Sequence, residues 1–132
     1  MQKILAVLML VLLFSACTGE RGGSDAMHFD TRGDYEKALA SGKPTIVEFS
    51  ATWCTICVRM APVVEKMEAK YGDRVNFVIL NFDKEKALVN KYGIRGTPTF
   101  VLLNSKGEIV GGAVGYIPED KFEEMIQELL EK

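Results

Sequence analysis

The pattern of apolar and polar residues divides the chain into three parts. Residues 4–14 form an unbroken apolar run that follows a short basic start. Residues 18–27 carry glycine, serine and alternating charges without apolar periodicity, which is typical of a flexible tether. From residue 28 onward, apolar residues recur with the spacings of helices and strands, so we expect one folded domain over residues 28–132.

Within this domain, glycine, proline and polar clusters separate helix-like from strand-like patterns. The expected helices are one capped by Asp30 or Thr31 and ending at residue 40, then residues 55–71 and 84–92, and a terminal one that includes residues 122–130. The expected strands cover residues 45–50, 75–82, 99–103 and 108–114. The turn composition of residues 104–107 favours an antiparallel hairpin, whereas strands separated by helices favour parallel pairing. The pattern therefore predicts an α/β protein with a central mixed β-sheet and helices on both faces.

The composition agrees with one compact domain. Of the 132 residues, 48% are hydrophobic and 26% are charged, which is a globular balance. The formal net charge is -2, and acidic and basic residues are interleaved. Because no basic stripe is present, we expect no nucleic-acid binding. We expect a monomer that selects its substrates through local contacts.

The N-terminal run has the features of a secretory signal. Lys3 supplies the basic start, and the apolar stretch is shorter than the roughly 20 residues that span a bilayer. A buried helix is the alternative, but no polar face interrupts the run. We therefore expect residues 1–16 to be a signal peptide.

Phe14-Ser15-Ala16-Cys17 resembles the lipobox of bacterial lipoproteins, in which small residues precede a cysteine that becomes the lipidated N-terminus. Phe14 departs from the usual pattern, so simple cleavage and secretion is the alternative. The resemblance implies a lipidated N-terminus and tether over residues 17–27, and anchoring to a membrane of the bacterial cell envelope, facing the periplasm or the exterior. A lipidated Cys17 takes no part in disulfide chemistry.

Two cysteines form a C-x-x-C motif between an expected strand and an expected helix. At a helix N-terminus, unpaired N–H groups and the helix dipole stabilise an anion, so Cys54 is the expected nucleophile. Cys57 lies one turn further along and is placed to resolve a mixed disulfide on Cys54. The alternatives are half of a zinc site, a Cu(I)-binding pair and an inert structural disulfide. The mature chain offers few further zinc ligands, and so short a loop constrains the unfolded chain little, so we expect a redox pair and no metal.

The segments around the cysteines carry a family resemblance. Residues 47–54 resemble the strand that leads into the active site of thioredoxins, and Pro62 matches the proline within their active-site helix. Residues 91–99 resemble the family's loop that ends in a cis-proline. The domain therefore resembles a thioredoxin, which implies the thioredoxin-like fold and a redox-active disulfide with no other cofactor. Thr55-Ile56 replaces the family's usual Gly-Pro between the cysteines, so the redox potential does not transfer.

Glu48 lies within an apolar strand pattern that helices are expected to cover on both faces, where an ionised carboxylate is costly. A place at a sheet edge in contact with water is the alternative. In thioredoxins an aspartate at this position assists proton transfer to and from the buried cysteine, so the resemblance implies the same for Glu48, with a raised pKa. Ile79 replaces a lysine that often neighbours this acid, and Ser50 replaces the usual aromatic residue.

Four further residues are candidates for the site. Thr97-Pro98 resembles the cis peptide bond beside which a substrate segment pairs as an added strand, with a plain turn proline as the alternative. Trp53 and Ile56 are expected to form an apolar rim around the exposed sulfur, unless other loops cover them as packing residues. We therefore assign Pro98 to the catalytic site, and Thr97, Trp53 and Ile56 to substrate binding.

Together these features predict a thiol–disulfide oxidoreductase of the cell envelope that exchanges two electrons with partner proteins, in the reductase direction. The expected partners are disulfide-bearing or dithiol envelope proteins, with a membrane thiol reductase as electron donor. The alternative is a lipid-anchored module that uses the same fold to bind peptides or copper without redox turnover. The presence of both cysteines beside Glu48 and Pro98 favours the first.

Overall fold

The computed structural model describes residues 28–132, so the predicted signal peptide, lipidation at Cys17 and tether lie outside the described residues. The helices are α1 (Arg32–Ala40), α2 (Thr55–Tyr71), α3 (Lys86–Lys91) and α4 (Glu119–Leu130). The strands are β1 (Thr45–Ser50), β2 (Asn76–Asn81), β3 (Thr99–Leu103) and β4 (Ile109–Val114). These elements follow the predicted order, and β2 and α3 are shorter than predicted at both ends.

Local signals fix where α1 begins and where α3 ends. Thr31, one of the two predicted caps, accepts a hydrogen bond from the Asp34 N–H at 3.2 Å, and the Asp34 carboxylate accepts one from the Thr31 N–H at 2.9 Å. This reciprocal pair satisfies two N–H groups at the helix start. After α3, Gly93 has a φ of 65°, a left-handed conformation that glycine adopts readily, and the helix stops there.

Asp30, the other predicted cap, contacts β2 instead. It forms an isolated bridge with Leu80. The Asp30 N–H donates to the Ile79 carbonyl, and the Asp30 carboxylate accepts from the Ile79 N–H, each at 2.7 Å. The start of the domain is therefore attached to the outer side of β2.

The strand order in the sheet is β2-β1-β3-β4. β1 runs parallel to β2 and antiparallel to β3, and β3 and β4 form the predicted antiparallel hairpin. The rule that a helix between two strands favours parallel pairing holds for β1 and β2 but is wrong for β2 and β3. With 6 residues, α3 spans only about 9 Å, whereas a crossover must return the chain along a strand of roughly 20 Å. The chain therefore enters β3 from the opposite direction.

The two faces of the sheet pack into separate cores, which confirms that helices cover both faces. The core under α2 and α4 includes Ile46, Met60, Val64, Met67, Phe100, Leu102, Phe122 and Ile126. The core under α1 and α3 includes Tyr35, Val47, Phe49, Leu80, Leu88 and Val101. Because successive residues of a strand point to opposite faces, Glu48 lies on the same face as Ile46, which is the face that α2 covers.

Candidate active site

The cysteine pair lies where β1 leads into α2. β1 is flanked by strands on both sides and ends at Ser50. The chain then turns, with the Cys54 N–H donating to the Ala51 carbonyl at 3.2 Å. This turn leaves Cys54 in an extended conformation as the N-cap of α2. Its side chain therefore stands at the positive end of the helix dipole.

Cys54 and Cys57 form a disulfide, with 5.2 Å between their Cα atoms. The Cys57 N–H donates a hydrogen bond to Sγ of Cys54 at 3.1 Å. In the reduced protein, this N–H and the helix dipole are placed to stabilise a thiolate on Cys54. Cys57 is completely buried, whereas 6% of Cys54 is exposed. Cys54 is therefore the more exposed of the two cysteines.

Glu48 is buried at the centre of the sheet, with 4% of its surface exposed. Its neighbours across the strands are Ile79 of β2 and Phe100 of β3, so the alternative of a sheet edge is excluded. Burial disfavours the charged form and raises the pKa of Glu48 from its ordinary value of 4.5 to about 7, while a hydrogen bond with Ser50 opposes the rise. An acid that is half ionised near neutral pH is suited both to accept and to release a proton.

Ser50 is a site residue whose role the sequence did not show. It is completely buried and lies two residues after Glu48, on the same face of β1. Its hydroxyl bonds the Glu48 carboxylate and favours the ionised form. The available signal was the residue type, because Ser50 carries a hydroxyl where thioredoxins usually carry an aromatic ring. The hydrogen bond to Glu48 could not be predicted from this alone, since it depends on both side chains lying on one face of β1.

The Thr97–Pro98 peptide bond is cis, as the resemblance implied. Thr99 pairs with Phe49, so Pro98 lies beside the carboxyl end of β1, from which the chain leads to the cysteines. The Pro98 carbonyl accepts a hydrogen bond from the Gly115 N–H at 2.9 Å, which ties this loop to the end of β4. The buried hydroxyl of Thr97 has no hydrogen-bond partner among residues 28–132.

Apolar side chains are exposed around the start of α2. Trp53 is 62% exposed and Ile56 is 40% exposed. The alternative, in which other loops cover both residues as packing residues, is therefore wrong. The Trp53 indole N–H donates to the Asp83 carboxylate at 2.7 Å, which orients the ring at the surface. Val58, one helix turn after Cys54, is 59% exposed. Sequence reasoning missed the exposure of Val58, although its position outside the buried stripe of α2 was a signal. We refer to Trp53 and Ile56 as the α2 apolar surface.

Neither a metal site nor a membrane span is found in residues 28–132. This part of the chain has no group of three or more His, Cys, Asp and Glu side chains arranged to hold an ion. His28 is exposed, and its Nε2 lies 4.0 Å from the Asp30 carboxylate. None of the helices described here has the combined length and apolar character that crossing a bilayer requires.

The chemistry available at this site is thiol–disulfide exchange, because its reacting atoms are two sulfurs that interconvert between a bond and a dithiol. The fold and the site together define a thioredoxin-like oxidoreductase. The family model Thioredoxin matches residues 26–128. The chain therefore belongs to the thioredoxin family, which confirms the resemblance seen in the sequence.

Several known proteins are similar to this chain. The chloroplastic thioredoxin-like protein HCF164 of Oryza sativa subsp. japonica is 47% identical over 90 residues, which are 67% of this chain and 34% of that protein. The thiol:disulfide interchange protein TxlA of Synechococcus elongatus is 35% identical over 128 residues, which are 92% of this chain and 67% of that protein. The crystal structure of the germline-specific thioredoxin Deadhead from Drosophila melanogaster has a TM-score of 0.69 and 28% identity, over 79% of this chain and 99% of that chain. The chain spans about a third of the length of its chloroplast relatives.

Proposed function

We propose that this protein is a thiol–disulfide oxidoreductase of the bacterial cell envelope that reduces disulfides in partner proteins. The observation that carries the proposal is the Cys54–Cys57 disulfide at the N-terminus of α2, on the sheet face that holds Glu48. A purely structural disulfide gains most by closing a long loop, and this one spans two intervening residues. The name of the relative TxlA, a thiol:disulfide interchange protein, supports the same reaction here.

In the reductive direction, the Cys54 thiolate attacks one sulfur of a disulfide in the partner. A bond forms between Cys54 and that sulfur, and the partner's other cysteine leaves as a thiolate. Cys57 then gives its proton to Glu48 and attacks Sγ of Cys54, so the Cys54–Cys57 bond forms and the mixed disulfide breaks. In total, two electrons pass to the partner, and its two thiolates take up one proton from Glu48 and one from solvent, so it leaves as a dithiol.

Two surfaces support the binding of a partner polypeptide. The α2 apolar surface lies next to the accessible sulfur, and exposed apolar patches of this kind mark interaction sites. The loop with Thr97 and Pro98 offers backbone groups beside which an extended segment of the partner pairs as an added strand. The partners that we propose are therefore disulfide-bearing envelope proteins.

A continuing cycle needs a source of electrons. The structure is the oxidised form, and its disulfide must be reduced by a dithiol before the next turnover. Outside the cytoplasm, we propose that a membrane thiol reductase supplies that dithiol. The envelope location rests on the signal-like residues 1–16 and on the lipobox-like Cys17.

The reduction potential of the cysteine pair tests the direction of electron flow. Equilibration of the purified protein with defined ratios of reduced and oxidised dithiothreitol or glutathione measures it. We expect a value more negative than about -200 mV, because disulfide reductases lie there, whereas the oxidant DsbA lies near about -120 mV. A value close to that of DsbA would assign the opposite direction. Peptide or copper binding without any thiol exchange would assign the protein to the binding modules instead.

Cys17→Ser is expected to release the full-length protein from membranes or to leave it unprocessed. The reason is that several acyl chains on one N-terminal cysteine give stable anchoring, which a serine does not carry. Cell fractionation and mass spectrometry of the mature N-terminus measure the change. The matched control is Cys57→Ser, which should stay with the membranes. Equal solubility of wild type and Cys17→Ser would exclude the anchor.

A further inference from the structure

Arg59 is held beside the α2 apolar surface by an aromatic ring. Its guanidinium carbon lies 4.9 Å from the centre of the Tyr116 ring, and Tyr116 is 44% exposed. Gly115, the residue before Tyr116, donates its N–H to the Pro98 carbonyl at 2.9 Å. The Arg59–Tyr116 pair therefore connects α2 with the strand end that contacts Pro98.

Arg59 also lies close to the reacting sulfur along α2. Ile56 precedes it by three residues, and residues with this spacing share one face of a helix. Cys54 precedes it by five residues, which is about 7.5 Å along the helix axis. Because Tyr116 follows Gly115, whose N–H binds the Pro98 carbonyl, the guanidinium lies toward the loop beside which a partner's segment is proposed to pair.

Arg59 is not paired with an acid in the described part of the chain. Residues 55–64, the first half of α2, contain Arg59 and no other charged residue, and residues 92–98 contain Arg95 and no other. Neither arginine has an ion pair within residues 28–132.

Two acids of the neighbouring segments are already paired. Asp83 accepts the indole N–H of Trp53, and its carboxylate lies 3.9 Å from Nζ of Lys86. Glu119, at the start of α4, pairs with Lys66. A partner that approaches Cys54 therefore meets the Arg59 guanidinium while these two carboxylates are already paired.

We propose that Arg59, oriented by Tyr116, selects partner segments that carry a carboxylate close to their reacting cysteine. A guanidinium presents its donors in a planar fork that matches a carboxylate, and stacking on a ring restricts the side chain before the partner arrives. An extended segment advances about 3.3 Å per residue, which places the acid about two or three residues from the partner's cysteine. The inference rests on the proposed function and narrows its substrates to disulfides flanked by Asp or Glu.

Disulfide-linked synthetic peptides that differ at one position test this selection. The probes carry Glu, Gln or Lys two or three residues from the reacting cysteine, on either side. The second-order rate constant with the reduced protein is measured by thiol release and is divided by the rate constant of the same probe with dithiothreitol. We expect the Glu probe to react about three- to five-fold faster than the Lys probe, with Gln between them, as for one exposed charge pair. The ratio should fall toward one in high salt.

Two variants assign the selection to Arg59. Arg59→Gln should bring the ratio between the Glu and Lys probes close to one, and Arg59→Lys should leave part of it, because charge remains but the planar fork is lost. The matched control is Arg74→Gln, since Arg74 also lies over a tyrosine ring, that of Tyr71 at 5.2 Å, but follows the far end of α2. This variant should keep the full ratio.

The outcomes separate this inference from the proposed function. Equal rate constants for all three probes with the wild type, or a ratio that Arg59→Gln leaves unchanged, would overturn the selection by Arg59. A wild type that reacts with none of the probes would instead overturn the proposed exchange activity.

Discussion

The Cys57→Ser variant is expected to stop at a covalent complex between Cys54 and its partner protein. The accessible sulfur still attacks the partner's disulfide, but the buried thiol that releases the product is gone. Multiple turnover should therefore fall to the background rate, while one equivalent of mixed disulfide accumulates. Gel electrophoresis without reductant, followed by mass spectrometry of the linked peptides, identifies the complex and the cysteine that holds it.

The reciprocal variant is the control for this assignment. Cys54→Ser should form almost no mixed disulfide, because Cys57 has no exposed surface. If complexes accumulate through Cys57 in Cys54→Ser and are missing from Cys57→Ser, the two cysteines have the opposite roles.

The Glu48→Gln variant is expected to fold and to exchange disulfides about 100-fold more slowly, since general acid–base help contributes at least that much. The amide keeps the shape of the side chain but neither accepts nor releases the proton of Cys57. The wild-type rate should depend on pH around the pKa of Glu48, which is about 7, and the variant should lack this dependence. Stopped-flow exchange with a model disulfide between about pH 5 and pH 9 measures both effects.

The free energy of unfolding should change with pH in the same pair of proteins. The pKa of Glu48 in the folded state is about 7, above its ordinary value of 4.5, so the folded protein binds more protons than the unfolded chain between these values. The wild type therefore loses stability as pH rises from about 4.5 to about 7, by about 3 kcal/mol in total. Glu48→Gln should lack this loss in denaturant titrations. Identical pH dependence of rate and stability in both proteins would show that Glu48 has no proton-transfer role.

Ser50→Ala is expected to shift the pKa of Glu48 without removing the acid. It removes the hydrogen bond that favours the ionised carboxylate, so the pKa of Glu48 should rise further and the pH profile should shift upward. Ser50→Thr keeps the hydroxyl and is the conservative control. In the Glu48→Gln background, Ser50→Ala should leave the profile unchanged, because the titrating group is absent.

The sequence was sufficient for the elements of the fold because its local patterns are strong. The β-type apolar run of residues 45–50 and the helical stripe of residues 55–71 predicted β1 and α2 with their observed bounds. The burial of Glu48 also followed from the sequence, since an acid within an apolar strand has few other environments. The direction of β3 did not follow from the sequence, because it depends on the length of α3. The observed helix is shorter at both ends than the predicted helix of residues 84–92.

The parts of the site that the sequence did not show depend on contacts between distant residues. The bond from Trp53 to Asp83 joins positions 30 residues apart, and the Arg59–Tyr116 pair joins α2 to the chain after β4. No local pattern specifies such pairs, because they form only when the sheet places the carboxyl ends of β1, β2 and β4 at the same side. The cysteines were different, since their spacing and their place between a strand and a helix are local features.

The contact between Asp30 and β2 also limits how this sheet associates with other chains. A strand at the edge of a sheet with unpaired N–H and carbonyl groups templates aggregation. Asp30 occupies both backbone groups of Ile79 at one edge. At the other edge, β4 contains a Gly-Gly pair at residues 111–112, which has low strand propensity, and the Lys132 ammonium donates to the Val110 carbonyl at 3.4 Å. At each border of the sheet, these contacts leave fewer free backbone groups for edge-to-edge pairing with another copy of the chain.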